Sequence, residues 1–177
     1  MPEKTGGKRA RMTIFRGADA LPVSAEMMPR EGIDDGVLAG LALLAQENVQ
    51  EGVGEQTRVL FGDPEKGGMS LLHAWFKSGY VLPFHSHSTD CLYYIIAGEL
   101  HMGSHVLKQG DGFFVPADAG YGYEAGPEGV EVLEFRDASQ FNLFFRGNKP
   151  ERWEQIAAAF RERGQAWAGE TTPPSRR

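Results

Sequence analysis

The chain has 177 residues, a mass of 19.5 kDa, a formal net charge of -6 and a pI near 5.4. This length predicts one domain, and 41% hydrophobic residues with 11% aromatic ones exclude wholesale disorder. A net acidic chain without a long basic stretch argues against binding to nucleic acid or to an anionic membrane. Cys91 is the single cysteine, which excludes an intrachain disulfide and suits a reducing cytosol.

The two ends of the chain are polar and predict loose tails. Residues 1–11 are basic and contain glycine, and residues 169–177 contain Pro173-Pro174, which opposes a helix. The longest apolar run, residues 37–45, is too short to cross a bilayer, which needs ~20 apolar residues. It also lies too far inside the chain for a signal peptide. We therefore expect a cytoplasmic protein.

Residues 12–56 are expected to form an irregular N-terminal arm. Residues 37–50 within it permit both a helical and a strand interpretation, because the apolar periodicity does not decide between them. The apolar side chains in question are Val37, Leu38, Leu41, Leu43 and Leu44.

Residues 57–147 contain short apolar segments separated by turn residues. The segments that we predict as strands are residues 58–61, 69–77, 81–87, 92–96, 99–102, 105–108, 112–115, 121–125, 130–136 and 141–146. Gly103-Ser104 is typical of a two-residue hairpin loop, and Gly126-Pro127 predicts a break. Many short strands in close succession predict an antiparallel sandwich or barrel.

Residues 148–168 predict a C-terminal amphipathic helix, with Asn148 as its cap and Pro150 in its first turn. One face is apolar and the other is charged. The apolar face holds Trp153, Ile156, Ala157, Phe160 and Trp167, and the charged face holds Glu154, Arg161, Glu162 and Arg163. We expect the apolar face to pack on the barrel or on a partner subunit.

All five histidines lie between His73 and His105. Within residues 79–98, Gly79, His85, His87 and Gly98 follow the spacing of the first sequence motif of the cupin superfamily. Cys91 stands where that motif has a glutamate.

Residues 110–121 resemble the second cupin motif. Gly110 and Pro116 are in place, Asp118 stands where the motif has a glycine, and Tyr121 stands where it has a histidine. The resemblance implies an all-β fold, a cupin-type antiparallel β-barrel (jelly-roll) with an N-terminal arm and one C-terminal helix. Cupins of this size often pair through their outer sheet faces, so we expect a homodimer.

Residues i and i+2 of a strand face the same side, so His85 and His87 can project together into the barrel and chelate one metal. Cys91 points inward as well if the parity persists on the next strand. The outward residues would then be Leu92, Tyr94 and Ile96, which are apolar and fit a dimer face. On a later strand, Tyr121 and Tyr123 share a face.

Usual cupins hold a metal with three histidines and one glutamate, so the resemblance implies one divalent metal per chain. The ligands would be His85, His87 and Cys91. A thiolate favours Fe or Zn, with Ni, Mn or Cu as alternatives. Tyr121 is an optional fourth ligand.

Other arrangements of the site stay open. Asp90 or His73 could complete the metal shell in place of Cys91, which would then be a small apolar filler. A site without metal is the remaining alternative, in which His85, His87 and Tyr121 bind a ligand or transfer protons. The two remaining histidines, His101 and His105, flank the predicted hairpin and are expected at the surface.

Three functions follow from these features. The leading one is a metal-dependent enzyme, most similar to mononuclear non-heme oxygenases, that acts on a small, apolar or aromatic molecule. The first alternative is an oxygen-independent lyase, isomerase or cyclase with Tyr121 or Tyr123 as acid or base. The second is a non-enzymatic ligand-binding or sensor module with a degenerate metal site. Aromatic residues of the barrel region favour an aromatic ligand over a sugar or nucleotide: Trp75, Phe84, Tyr93, Tyr94, Phe113, Phe114, Tyr123 and Phe135.

Overall fold

A computed structural model describes residues 11–47, 49, 52–147 and 149–177. The strands in chain order are β1 (Leu21–Pro22), β2 (Arg30–Glu31), β3 (Glu55–Phe61), β4 (Ser70–Phe76), β5 (His85–Ser86), β6 (Cys91–Met102), β7 (His105–Lys108), β8 (Gly112–Val115), β9 (Glu124–Arg136) and β10 (Leu143–Phe145). The helices are α1 (Asp35–Gln46) and α2 (Pro150–Gly169), with short 3-10 turns at Gly17–Asp19 and Pro174–Arg176. The predicted tail over residues 1–11 lies outside the described residues except for Arg11.

The strands form two sheets. The larger has the order β1-β3-β4-β9-β6-β7, with β8 also paired to β6, and its pairs are antiparallel. The smaller has the order β2-β10-β5, and its β2–β10 pair is parallel. The predicted all-β architecture is confirmed, and this one parallel pair departs from the purely antiparallel barrel that we expected.

The central strands β6 and β9 are longer than predicted. Gly98 interrupts β6 with a register shift rather than a turn, and its φ of +79° is one that favours glycine. A Cβ added to Gly98 would lie 2.1 Å from the carbonyl oxygen of Gly129 on β9. The predicted break at Gly126-Pro127 is wrong, because both residues lie inside β9.

Burial alternates along these two strands as the strand period requires. On β6, Cys91, Tyr93 and Ile95 are buried, whereas Leu92 and Tyr94 are exposed. The inner face of the larger sheet therefore carries the main core, and the outer face carries the apolar residues that we predicted for a dimer. The homodimer itself stays a prediction.

Residues 81–87 form less strand than expected. Only β5 pairs as a ladder, and two single bridges, Val81↔Glu124 and His85↔Tyr121, replace the predicted continuous strands over residues 81–87 and 121–125. Pro83 has no N–H to donate to a ladder, which explains the interruption.

The arm contains a helix, α1, which decides the open interpretation of residues 37–50. The Asp34 carboxylate caps it by accepting from the Val37 N–H at 2.9 Å. Gly40 lets α1 approach α2, since a Cβ there would lie 2.0 Å from the Trp153 ring. The predicted amphipathic helix is confirmed as α2, whose Trp153 and Ile156 are buried.

The start and the end of the C-terminal region differ from the prediction. Lys149 is the N-cap of α2, and the predicted cap, Asn148, lies outside the described residues. The residues after α2 dock on the barrel instead of forming a loose tail. The Ser175 N–H donates to the Glu131 carboxylate at 2.6 Å, and Arg177 pairs with Glu128 at 2.7 Å.

Among the described helices, none combines the length and hydrophobicity that a membrane span requires.

Candidate active site

The imidazoles of His85 and His87 lie side by side inside the barrel, with ring centroids 5.1 Å apart. His85 Nδ1 lies 2.8 Å from the Pro83 carbonyl oxygen, and His87 Nδ1 is hydrogen-bonded to the Asn142 carbonyl oxygen. A carbonyl oxygen only accepts, so Nδ1 carries the proton in both rings. Each Nε2 is therefore an acceptor in the neutral ring.

The two acceptors have different surroundings. Nε2 of His85 lies 3.1 Å from the Tyr121 hydroxyl, which donates to it. Because the Tyr121 proton points to His85, the Tyr93 hydroxyl donates to the Tyr121 oxygen. Arg136 Nη2 in turn donates to the Tyr93 hydroxyl at 3.3 Å. These three hydrogen bonds form a directional relay from the Arg136 guanidinium to the His85 imidazole. His87 Nε2, in contrast, has no hydrogen-bond partner among the described residues.

Arg136 lies at the other end of this relay and is 3% exposed. Its guanidinium carbon is 4.1 Å from the Phe141 ring centroid. Nη1 lies 2.8 Å from Glu134 Oε2, which is an ion-pair distance. The contact does not have the geometry of a hydrogen bond. Nε and Nη1 are buried without an acceptor among the described residues. Buried donors of this kind are rare in folded proteins and call for an explanation.

Burial sets the protonation states in this inner cluster, which we define as His85, His87, Tyr93, Tyr121, Glu134 and Arg136. Burial lowers the pKa of His85 to about 4 and that of His87 to about 3, and the charge of Arg136 lowers both further. Burial also raises the pKa of Tyr93 and Tyr121. At neutral pH the imidazoles are therefore neutral and the phenols keep their protons.

Two other predicted site residues have lesser roles in this arrangement. Cys91 is on the inner face, and burial raises the pKa of its thiol to about 12, so it is a neutral thiol and not a thiolate. Tyr123 packs in the apolar core, edge-on to Phe76 at 5.5 Å and stacked on Tyr121 at 6.3 Å. The structure thus brings Tyr121 to the histidines and places Tyr123 behind it.

The remaining candidates lie elsewhere. Asp90 is exposed and accepts from the Ala117 N–H at 2.8 Å. His73 faces the outer side of the sheet and pairs with Glu131 at 3.0 Å. His101 and His105 flank the Gly103-Ser104 hairpin between β6 and β7, as predicted. None of these four residues completes the shell around His85 and His87.

These donors do not fit the predicted metal ion. Within the described residues, no group of three or more His, Cys, Asp or Glu side chains is placed to hold one. His85 Nε2 is engaged by the Tyr121 hydroxyl, the Cys91 thiol is neutral, and the Arg136 cation acts on both imidazoles. The nearest carboxylate, Glu134, is already paired with Arg136, so a divalent cation would have to compete with this guanidinium for it. The metal site over His85, His87 and Cys91 stays a prediction.

A cleft of about 500 Å³ is lined by Phe84 and Tyr123 together with polar residues that include Arg152 and Glu124. None of the residues of the inner cluster lines it. The cluster itself is closed, since His85, His87 and Tyr121 are each less than a tenth exposed.

Our sequence analysis did not identify Arg136, Glu134 or Tyr93 as site residues. A signal for the first two was present, because they share strand parity with the buried Val130 and Val132. Charged residues at inward positions of a strand are uncommon and indicate a site or a buried ion pair. Asp118 occupies the position where the second motif has a glycine, and its φ of +63° lies in the left-handed region that favours glycine.

No protein-family model matches the chain, and no curated protein matches it. Solved structures do. The polyketide cyclase RemF from Streptomyces resistomycificus matches with a TM-score of 0.53 and 14% identity, over 84% of this chain and 98% of that chain. An RmlC-like cupin protein from Ralstonia eutropha JMP134 matches with a TM-score of 0.51 and 13% identity, over 88% of each chain. An RmlC-like cupin from Shewanella frigidimarina NCIMB 400 is 24% identical over 52% of this chain and 86% of that chain, with a TM-score of 0.44.

Proposed function

We propose that this chain, which has the cupin fold, is an acid-base enzyme of the lyase, isomerase or cyclase type. The observation that carries the proposal is His87 Nε2, a neutral acceptor without a hydrogen-bond partner in the described part of the chain, beside a relay of proton donors. Fold alone does not define a reaction, so the proposal depends on these side chains.

In this proposal His87 is the base. The Asn142 carbonyl holds the proton on Nδ1, so Nε2 is the atom that removes a proton from the substrate. Because the pKa of His87 is lowered to about 3, the base is unprotonated at every working pH. Its low basicity requires a substrate with an acidic C–H bond.

Tyr121 is the acid. Burial keeps its hydroxyl protonated, and the Tyr93 hydroxyl donates to its oxygen. When Tyr121 gives up its proton, Tyr93 and the Arg136 cation behind it stabilise the phenolate. His85, held by the Pro83 carbonyl, orients Tyr121 rather than reacting itself.

The surroundings favour a small flat molecule. Phe113 stacks on Tyr93 at 4.4 Å with an interplanar angle of 7° and also contacts Tyr121. Aromatic walls suit apolar or aromatic ligands. A polyketide cyclase is among the solved structures with the same fold, so a cyclase reaction is compatible with this architecture.

The metal-dependent oxygenase is the second candidate, and the proximity of the His85 and His87 imidazoles, whose ring centroids are 5.1 Å apart, favours it. It requires Tyr121 to leave His85 and a cation to bind near Arg136. The non-enzymatic ligand-binding module is the third interpretation, and the experiment below separates it from both enzymes.

The test incubates chelator-treated protein in D₂O with a panel of small ketones, enones and aromatic enols, and follows deuterium incorporation by NMR. We expect exchange in at least one compound, with a rate about 10²- to 10⁴-fold lower for His87→Gln, the usual contribution of a positioned base. His105→Gln, in the exposed hairpin, is the matched control and keeps the wild-type rate. Binding without exchange across the panel supports the ligand-binding module and contradicts the proposal.

A further inference from the structure

A second cleft, of about 770 Å³, lies on the outer face of the larger sheet, and we call it the outer cleft. Residues of β3, β4, β6 and β9 form its floor, and residues of the chain ends, including the two 3-10 turns, form its walls. No residue of the inner cluster lines it. A ligand in the outer cleft is therefore separate from the proposed reaction.

Trp75 lines the outer cleft from β4. It is only 3% exposed although it lies on the outer face, and its Nε1 N–H is buried without an acceptor within the described residues. Glu131 is opposite Trp75 in the register of β9, but its two oxygens are bonded to His73 and to the Ser175 N–H. A buried donor without an acceptor is rare, and in the lining of a cleft it favours a ligand that brings an oxygen.

Two arginines give the outer cleft its positive charge, Arg58 on β3 and Arg176 in the C-terminal turn. Arg58 is opposite His73 in the β3–β4 register and is therefore a diagonal neighbour of Trp75, within reach of a long side chain. Its Nη1 donates to the Ala20 carbonyl oxygen at 3.2 Å, which holds the guanidinium at the cleft. A ligand oxygen on the Trp75 N–H thus lies within reach of Arg58.

The charge and the apolar floor limit the class of ligand. Glu131 is the single carboxylate among the described residues that line the outer cleft, against two arginines. A monoanion balances this excess of one positive charge, whereas a phosphate dianion would leave a net negative charge beside Glu131. Trp75, Leu133 and Ile96 form an apolar floor, which suits a flat apolar body.

The outer cleft is distinct from the apolar face that we predicted for a dimer. Leu92 and Tyr94 are exposed on that face and do not line the cleft, and Ile96 is the one predicted dimer residue that does. A concave site that contains arginines suits a small charged ligand better than the apolar face of a second copy.

We infer that the outer cleft binds a monocarboxylate with a flat apolar body. Its carboxylate lies on Arg58 and accepts from the Trp75 N–H, Arg176 supplies the second positive charge, and its body covers Leu133 and Ile96. Arg58 and Leu133 are two strands apart in the register, which is about 10 Å. A carboxylate with two fused rings spans this distance. The inference is independent of the proposed function.

The test uses 2-naphthoate as the probe, with the full-length protein, and calorimetry measures its affinity. We expect saturable binding to the wild type and about 10-fold weaker binding to Arg58→Gln, which loses a charge-assisted hydrogen bond. Arg58 is exposed, so this variant should fold. Arg161→Gln, on the exposed face of α2 and outside the outer cleft, is the matched control and keeps the wild-type affinity.

NMR of the indole N–H groups locates the bound probe. The chain has three tryptophans, and Trp75→Phe identifies the Trp75 signal by its loss. We expect naphthoate to shift this signal and to leave the Trp167 signal in place, since the Trp167 N–H donates to the Ser78 carbonyl oxygen at 2.8 Å, outside the outer cleft. Trp75→Phe should also bind naphthoate about 3- to 10-fold more weakly.

Two analogues of the probe define the ligand class. 2-Naphthamide has the same shape without the charge, and 2-naphthyl phosphate is a dianion; both should bind about 10-fold more weakly than naphthoate. No saturable binding of naphthoate, wild-type affinity in Arg58→Gln, an unmoved Trp75 signal, or binding of either analogue as tight as that of naphthoate would overturn the inference.

Two further measurements exclude other occupants and other sites. His87→Gln should keep the wild-type affinity for naphthoate, and a loss of binding there would place the probe in the inner cluster instead. Sedimentation measures the oligomeric state of the wild type and of Arg58→Gln. A dimer that does not bind naphthoate and that dissociates in Arg58→Gln would assign the outer cleft to a second copy and contradict a ligand site.

Discussion

The two faces of β9 each carry a buried carboxylate, and the two differ in how completely they are bonded. On the outer face, Glu131 accepts from the Ser175 N–H at 2.6 Å and pairs with His73 at 3.0 Å, so both of its oxygens have partners. On the inner face, the Glu134–Arg136 pair leaves two guanidinium nitrogens without an acceptor.

This difference distinguishes a stabilising group, Glu131, from a candidate site group, the Glu134–Arg136 pair, on the same strand. The outer group is complete and ties the C-terminal residues to the sheet. The inner group is incompletely hydrogen-bonded and lies in the same buried cluster as two neutral imidazoles. Burial alone does not distinguish the two groups, since Glu131 and Glu134 are both less than a tenth exposed. They differ in how many of their polar atoms, and those of their partners, are hydrogen-bonded.

The largest effect is expected from breaking the inner pair. Arg136→Met leaves Glu134 buried without its cation, which should lower the free energy of unfolding by about 3–5 kcal/mol. Adding Glu134→Gln to it should restore part of that loss. Urea denaturation followed by circular dichroism measures both, and a double variant less stable than Arg136→Met would contradict the pairing.

The neutral histidines of the inner cluster predict a dependence of stability on pH. Their folded pKa values of about 4 and about 3 lie below the ordinary 6.5, so the unfolded chain binds more protons between these values. Stability should therefore fall as the pH drops from 7 to 5, by about 2 kcal/mol for each histidine.

His87→Gln removes one of these titrations, so the loss of stability between pH 7 and pH 5 should shrink by about 2 kcal/mol. His105→Gln, at an exposed position, should leave it unchanged. Urea denaturation at both pH values measures the difference. An unchanged loss in His87→Gln would mean that this imidazole is not held neutral.

A smaller effect is expected on the outer face. Hydrogen bonds from His73 and Ser175 keep the pKa of Glu131 below its usual value although burial raises it. Glu131→Gln should cost about 1–2 kcal/mol of unfolding free energy and release the C-terminal residues. Hydrogen exchange at the Ser175 amide should then accelerate; slow exchange in the variant would show that Glu131 does not hold this segment.

The smallest effect concerns Cys91, on the inner face of β6. Its thiol should resist alkylation in the folded protein at neutral pH, since its pKa is raised to about 12. Cys91→Ala should cost about 1 kcal/mol through the small cavity it leaves. Rapid alkylation in the native state, followed by mass spectrometry, would contradict a neutral buried thiol.

The sequence was sufficient for the barrel, for α2, and for the convergence of His85, His87 and Tyr121. Turn spacing predicted the short strands, strand parity placed His85 and His87 on one face, and the resemblance to the two cupin motifs supplied the barrel and brought Tyr121 to the histidines. The docking of Ser175 on Glu131 was missed because the contact joins residues far apart in the chain. Arg136 was missed because it stands out only through the hydrogen-bond acceptors that its nitrogens lack. That lack is visible only once the residues around it are packed in the barrel. Cys91 followed the motif position, but burial gives it a neutral thiol.

The most direct test of the central claim is the rate of deuterium exchange in the panel of small ketones, enones and aromatic enols, measured before and after removal of metal by a chelator. Elemental analysis of both samples accompanies it. We predict the same rate in both, because His87 and Tyr121 move the protons. A rate that falls to background on chelation and returns when iron or zinc is added would contradict this account and favour the metal-dependent enzyme.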